Sequence, residues 1–243
     1  MTAREVSNVF VLTGAGISAE SGVRTYRTDT GLWEEHSIED IATPEGFARD
    51  PRKVQAFYDA RYRDISASAP NAAHIALARL AEDPRFSVTI VTQNVDDLHE
   101  RAGSVGVLHI HGAVNRALCG KCGEPLGCAG DLLGAGPCPE CGQTLARPDI
   151  TWFGEQPQRM GNIEEAFLAA DTFLSIGTSG EVWPAAGYSR RARNRKLRCV
   201  EFNLRPTEVS HYFREERRGP ASETVPAFVN ALLGPDSSPR PGM

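Results

Sequence analysis

Asn8-Val-Phe-Val-Leu-Thr13, followed at once by Gly14-Ala-Gly16-Ile-Ser-Ala19, decides how this chain of 243 residues is read. The first six residues form a short, nearly continuous apolar run, which suits a strand buried on both faces of a parallel sheet. The next six are a G-x-G-x-x-A turn. Its glycines allow a tight bend and close backbone approach to a pyrophosphate, and the helix start that follows favours negative charge. Alone, the motif is also compatible with an ordinary strand-to-helix turn. It departs from the usual dinucleotide site because no acidic residue ends a second strand about 20 residues later. Glu34 and Glu35 are near in number but follow no strand. Either the ribose is held differently, or the chain is not a hydride-transferring dehydrogenase.

Three further runs have the same character: Ser87-Val-Thr-Ile-Val-Thr92, Thr172-Phe-Leu-Ser-Ile176 and Leu197-Arg-Cys-Val-Glu-Phe202. Helix-like segments lie between them, among them Asn71 to Glu82, which opens on an N-cap residue, and Gly161 to Ala170. Strand alternating with helix predicts an α/β fold with a doubly wound, Rossmann-like parallel sheet. Small or polar residues follow each strand: Gly14-Ala15-Gly16, Gln93-Asn94-Val-Asp96, Gly177-Thr178-Ser179 and Asn203-Leu204. Ligands bind at the carboxyl edge of such sheets, so these clusters imply one shared cleft. Two stretches break the alternation. Residues 31–70 look mainly helical, and 113–147 are rich in Gly, Cys and Pro with little periodicity to bury a core. Residues after Leu233 read as disordered.

A hydrophobic fraction of 41% and a charged fraction of 23% are ordinary for a soluble protein. The formal net charge is -5 with no long basic run, which argues against nucleic-acid binding. The cluster Arg190, Arg191, Arg193, Arg195, Lys196 and Arg198 reads as a solvated helix face. No apolar stretch approaches the ~18 residues of a membrane span, and the first residues carry no leader, so a cytoplasmic protein is expected.

Cys119-Gly-Lys-Cys122 and Cys138-Pro-Glu-Cys141 stand fifteen residues apart, the two-knuckle zinc pattern. Four thiolates close a tetrahedral shell and leave no position for water, so one structural Zn2+ is expected. Cys128 and Cys199 sit at no ligand spacing and read as small, partly buried thiols. In His109-Ile-His111-Gly112 the two histidines would share one side of a strand, and either could be structural or catalytic. His99 reads as a cap or helix-face residue.

Taken together, these blocks resemble the sirtuins. The resemblance runs through Gly14-Ala-Gly-Ile-Ser-Ala-Glu-Ser-Gly-Val-Arg-Thr-Tyr-Arg27, Thr92-Gln-Asn-Val-Asp-Asp-Leu-His-Glu-Arg-Ala-Gly103, His111-Gly112 and the four cysteines. It continues in Arg147-Pro-Asp-Ile-Thr-Trp-Phe-Gly-Glu155, Gly177-Thr-Ser-Gly180 and Gly219-Pro-Ala-Ser222, in family order over roughly residues 8–232. Tyr26 stands where Phe is commoner. The resemblance implies one catalytic domain over 1–233: a Rossmann-like core (about 5–30, 71–112 and 148–233), a helical insertion (31–70) and a zinc module (113–147).

It further implies that NAD is a consumed co-substrate, which accounts for the missing ribose acid. The acyl oxygen of a modified lysine attacks the nicotinamide ribose and nicotinamide leaves. A base then activates a ribose hydroxyl and water completes the reaction. Free lysine, nicotinamide and O-acyl-ADP-ribose result. His111 matches the base, with Asn94 and Asp96 around the nicotinamide and ribose. Gly14, Ala15, Gly16, Ser18, Glu20, Arg27, Gln93, Gly177, Thr178, Ser179, Asn203, Leu204 and Ala221 match NAD contacts. Phe153-Gly154-Glu155 matches the segment that pairs with an extended acyl-lysine peptide.

Tyr58 and Arg61, at i and i+3 on one helix face, can converge on a carboxylate. They match the pair that marks the branch acting on succinyl- and malonyl-lysine, and Ala42 matches a small residue that leaves room for the longer acyl chain. Both deacetylation and desuccinylation are therefore expected, on acylated-lysine proteins or peptides, by a monomer. Mono-ADP-ribosyl transfer and a non-catalytic NAD-binding scaffold are the alternatives.

Overall fold

A computed structural model describes residues 6–24 and 37–234. Its centre is a six-stranded parallel sheet ordered β3-β2-β1-β7-β8-β9. The strands are β1 (Ser7–Thr13), β2 (Phe86–Thr92), β3 (Leu108–His109), β7 (Thr172–Ile176), β8 (Arg198–Asn203) and β9 (Glu215–Arg218). The chain winds outward from β1 in one direction and then returns to β1's other side. That reversal is a topological switch point, and it opens a crevice between the carboxyl ends of β1 and β7.

β1 shows why its sequence makes a central strand. With a side-chain period of two, Val9 and Val11 enter one apolar layer while Phe10 and Leu12 enter the other. On the first face the sheet is covered by α5 (Ala72–Glu82) and α9 (Ala221–Leu233), through Leu77, Leu80, Val225 and Val229. On the second lie α7 (Met160–Ala169) and α8 (Ala186–Asn194), through Ile163, Phe167, Tyr188 and Ala192. Asn71 caps α5, its side chain accepting from Ala73 N while the His74 ring accepts from Asn71 N.

The helical stretch and the cysteine-rich stretch form one further packed unit. α1 (Ala15–Ser18) follows β1. After the undescribed segment come α2 (Ile38–Ile41), α3 (Pro44–Arg49) and α4 (Pro51–Ala67). Thr43 and Asp50 cap α3 and α4, and each helix carries proline in its first turn. Opposite them is an antiparallel sheet, β5-β4-β6, made of β4 (Gly112–Cys119), β5 (Pro125–Leu126) and β6 (Ala146–Ile150). The cysteine-rich stretch does contribute to a core, contrary to its weak periodicity. Val114, Ala117, Leu132 and Ala146 pack with Ile41, Val54, Tyr58 and Trp152. Gln55 and Asp59 of α4 bind the backbone of Ala146, Leu132 and Leu133. The antiparallel sheet reaches Ile150, beyond the stretch's apparent end at 147.

The basic cluster is not simply a solvated face. Arg191 pairs with Glu164 and lies over Phe167, and Arg195 donates to the carbonyls of Phe167 and Leu168 at the end of α7. Cations are favoured at that negative helix end. Arg198 pairs with Glu215. Cys199 is buried and Cys128 half-buried. Arg27, residues 31–36 of the helical stretch and the tail from 235 onward lie outside the described residues. No helix among the described residues is long and apolar enough to cross a membrane.

Candidate active site

The crevice holds a cavity of about 460 Å3. Gly14, Ala15 and Gly16 form one edge of it, Gly177, Thr178 and Ser179 another. These two turns touch backbone to backbone. Gly16 N donates to Gly177 O at 2.8 Å, and a Cβ on Gly16 would stand 2.7 Å from Gly177 Cα. Glycine is required there because the loops approach more closely than any side chain permits. The Gly16 N–H is thus spent on the fold. Ala15 lines the cavity edge beside it.

Beneath the turns lies the segment after β2. Gln93 Nε2 donates to Thr178 Oγ1 (2.9 Å), and Asn94 Nδ2 to Gly14 O and Ser18 Oγ (both 3.1 Å). Gln93 and Asn94 line the cavity; Asp96 and Ser18, both buried, lie behind it. Burial raises the Asp96 carboxyl above its ordinary range, against lowering contacts from Ser18 and the Leu98 N–H.

His109 and His111 part company. β3 ends at His109, so the common strand face expected of them does not exist. His109 is buried, with Nδ1 against Asn94 O (3.1 Å) and Nε2 against Glu100 Oε1 (2.7 Å). Neither nitrogen is left for chemistry. His111 lines the cavity and sets Nδ1 3.0 Å from Gln93 O. A carbonyl only accepts, so the proton sits on Nδ1 and the lone pair on Nε2. Burial lowers the His111 pKa below its ordinary value, against the raising effect of the Gln93 carbonyl, which keeps the ring a neutral base near pH 7. Gly112 (φ +79°) makes the turn possible, since a Cβ there would meet Asp149 O at 2.0 Å. His99 is a core residue rather than a cap: Nε2 meets Thr13 Oγ1 at 3.1 Å, and its ring packs on His74.

The far end of the cavity is walled by Ala42, Tyr58 and Trp152. Trp152 Nε1 donates to Tyr58 Oη at 3.1 Å, and Arg147 stacks on the indole, 3.7 Å from the ring centroid. Phe153, Gly154 and Glu155 line the cavity too. Phe153 N donates to Ala42 O, and Thr151 N to His111 O (both 2.9 Å), which pins this segment between the two walls. The Glu155 carboxylate grips Arg147 through both oxygens and also accepts from Trp152 N. Burial would raise its pKa, but Arg147 and that N–H outweigh burial and hold it low. Arg61 is buried beside this end but is not part of the cavity wall; its Nη2 donates to Arg24 O at 2.8 Å.

The remaining candidates flank the crevice. Asn203 Nδ2 donates to Thr178 O, and Leu204 is exposed. Glu20 accepts from Ser222 N, beside Ala221 at the start of α9. Glu20 therefore caps a helix and stands outside the cavity wall. Sequence reading missed Val95, Ile150, Thr151, Trp152, Pro157, Val182 and Trp183, all of which line the cavity. Val95, Ile150, Thr151 and Trp152 fall inside quoted blocks, whereas nothing in the local pattern marks Trp183.

Cys119, Cys122, Cys138 and Cys141 place their sulfurs within 4.8 Å of one another. Two pairs stand at 3.5 and 3.6 Å, Cys119 with Cys141 and Cys122 with Cys138. A tetrahedral shell with Zn–S bonds near 2.3 Å spaces its sulfurs about 3.8 Å apart, so the cluster fits zinc. Disulfides, at about 2.05 Å, are not formed. The Cys122 and Lys121 N–H groups lower the Cys119 thiol. Against the lowering N–H groups of Glu124 and Gln143, burial and the neighbouring thiols raise Cys122 and Cys141, as four sulfurs crowded together must.

A doubly wound sheet with glycine turns at its switch point, a half-buried histidine on the cavity wall and a four-cysteine module define a Rossmann-like protein with an added metal-type cluster. The chain belongs to the Sir2 family, the sirtuins: the family's sequence model matches residues 14–184. It is 50% identical over 235 residues to an NAD-dependent protein deacylase of Escherichia coli (strain K12), covering 95% of this chain and 84% of the relative. It is 51% identical over 237 residues to an NAD-dependent protein deacylase of Bdellovibrio bacteriovorus, covering 96% and 100%. Among solved structures, a complex of a Sir2 homologue with NAD superposes with a TM-score of 0.83 at 35% identity, covering 93% of this chain and 89% of that one. Sir2Af2 bound to a myristoylated histone peptide gives a TM-score of 0.71 at 29% identity, covering 93% and 92%.

Proposed function

We propose that this protein is an NAD-dependent protein-lysine deacylase that consumes NAD and releases nicotinamide, O-acyl-ADP-ribose and free lysine. The observation that carries this reading is His111: a neutral imidazole with its lone pair on Nε2, on the wall of a cavity that joins the glycine turns to the apolar Ala42–Tyr58–Trp152 end.

In this reading Gly14, Ala15, Gly16, Gly177, Thr178 and Ser179 bracket NAD, with Ser18 behind Asn94, and Glu20, Arg27, Asn203, Leu204 and Ala221 supporting its outer parts. Gln93, Asn94 and Asp96 orient the nicotinamide ribose. The acyl oxygen displaces nicotinamide from the ribose carbon, and His111 Nε2 takes the proton of a ribose hydroxyl. That hydroxyl oxygen attacks the acyl carbon, and water then frees the lysine. Phe153, Gly154 and Glu155 hold the peptide. The cysteine module holds Zn2+, whose closed shell supplies folding energy.

An acetyl group suits the apolar end wall. For succinyl and malonyl groups, Tyr58 and the Arg61 guanidinium behind it receive the acid, at the cost of Arg61's bond to Arg24 O. The enzyme is taken to act as a cytoplasmic monomer.

The test is nicotinamide release with and without an acetyl-lysine peptide. The reading expects release that depends on the acylated peptide. Release without it would indicate ADP-ribosyl transfer or simple NAD cleavage, and NAD binding without any release would indicate a scaffold.

A further inference from the structure

Glu201 is 1% exposed on β8, among residues that are otherwise apolar from Cys199 to Phe202. With a side-chain period of two, Val200 and Phe202 enter one apolar layer and Cys199 the other. Glu201 therefore stands on the Cys199 face, in a layer that also takes Phe173, Val209 and Phe213. A carboxylate there is costly unless its oxygens are partnered. Both are. Oε1 accepts from Thr207 Oγ1 at 2.8 Å and Oε2 from Ser210 Oγ at 2.6 Å, with Arg218 Nη2 2.7 Å from Oε2. Well-packed apolar residues commonly stabilise a core as much as a buried ion pair does, so the distinct contribution of this pair is direction.

What it directs is the loop after β8. Thr207 and Ser210 belong to that loop, and Arg218 of β9 also donates to Arg205 O at 3.3 Å. Glu201 thus ties residues 205–210 back onto their own strand. The same loop backs the Gly177 turn at two points. At its start, Asn203 Nδ2 donates to Thr178 O at 2.9 Å. Near its end, Val209 packs on Gly180, which has φ +75° and where a Cβ would meet both valine methyl groups, Cγ1 at 2.8 Å. These contacts flank Ser179. Thr178 and Ser179 line the cavity, whereas Glu201 does not.

We propose that Glu201 is a positioning residue for the dinucleotide: it holds the loop after β8 through Thr207 and Ser210, and that loop fixes the 177–180 turn through Asn203 and Val209. This rests on the reading of the crevice as the NAD site. Glu201 touches neither NAD nor the peptide. Loosening its loop shifts the turn that brackets NAD and leaves His111 and the Ala42–Tyr58–Trp152 end in place.

The experiment measures NAD binding to the full-length, zinc-loaded protein by calorimetry, and separately KM for NAD and for an acetyl-lysine peptide. Wild type, Glu201→Gln and Thr207→Val are compared at a temperature at which all three are folded. Glu201→Gln keeps the shape and removes the charge. Thr207→Val removes one hydroxyl from the same carboxylate and keeps Ser210 and Arg218. Glu201→Gln should weaken NAD binding and raise NAD KM by roughly three- to twentyfold, the scale on which residues behind a site alter binding. Peptide KM and kcat should stay as in wild type. Thr207→Val should shift NAD affinity less and in the same direction, and the double variant should be no worse than Glu201→Gln, because both act through one contact. Unchanged NAD affinity in both variants, or losses in peptide KM and kcat that match the loss in NAD KM, would overturn the proposal and leave Glu201 a residue of the fold alone. Wild type that binds NAD without releasing nicotinamide would sink the deacylase reading only, since the binding measurement still decides Glu201. Wild type that binds no NAD would overturn both.

Discussion

His111 Nδ1 lies 3.0 Å from the Gln93 carbonyl oxygen, and this bond fixes which face of the imidazole is chemically available. Gln93 in turn donates from its side chain to Thr178, so the histidine's tautomer is set by the segment that also joins the two glycine turns. In the proposed reading the base is aligned by the NAD crevice itself. His111→Ala should lower kcat by a hundredfold or more for every acyl group, the usual scale of a lost general base. Near-normal turnover of the variant in the peptide assay would remove His111 from that role.

The pH dependence follows from the same burial. His111 must be neutral to accept a proton, and burial lowers its pKa from the ordinary 6.5. Activity should therefore rise with pH through a value below 6.5. A kcat profile still climbing above pH 7 would show that another group limits the reaction.

Acid should also destabilise the fold. Burial pushes His74 down to about 4 and His99 well below its ordinary value. A base whose folded pKa is depressed favours the folded state above its unfolded value of 6.5, and that support is lost as pH falls through the folded value. For His74 the full loss is about 3 kcal/mol, from 1.36 kcal/mol per pKa unit. Melting temperatures of wild type should fall steadily from pH 7 to 4, and those of His74→Gln should fall less. Parallel curves would put the acid sensitivity elsewhere.

In the proposed reading Arg61 carries the choice of acyl group. Arg61→Met should cut desuccinylation at least tenfold and deacetylation far less, since only the acidic acyl chain uses the guanidinium. Equal losses would leave the residue structural.

Zinc should matter to the peptide end first. The metal module shares its core with Ala42, Tyr58 and Trp152, and Asp59 of α4 holds the Leu132 and Leu133 N–H groups. Chelation or Cys122→Ser should lower the melting temperature and abolish deacylation, because a closed thiolate shell contributes folding energy. Unchanged melting after measured zinc loss would contradict a structural metal.

The parts of this molecule legible in its sequence are those set by local chemistry. β1 and the Gly14 turn show themselves because a strand buried on both faces must be apolar throughout, and a backbone that approaches another at Gly177 must lack a Cβ. The cysteine pairs show themselves because tetrahedral ligation fixes their spacing. Other features depend on contacts between distant residues. His99 looks like a helix-face residue until Thr13 and His74 close over it. The basic cluster looks solvated until α7 offers Arg195 its last carbonyls. The cysteine-rich stretch looks unable to bury a core because its apolar residues are scattered, yet Leu132 and Ala146 meet α4 only after folding. Trp183 carries no local signal, since its contact with Gly187 is made only in the fold.

The account stands or falls on one measurement: the mass of a single peptide, carrying acetyl- or succinyl-lysine, after incubation with the enzyme with and without NAD. It predicts NAD-dependent loss of both groups, with succinyl removed at least as fast as acetyl. Loss of acetyl alone would keep the deacylase and contradict the Tyr58–Arg61 acid pocket. Loss of neither would contradict the central claim.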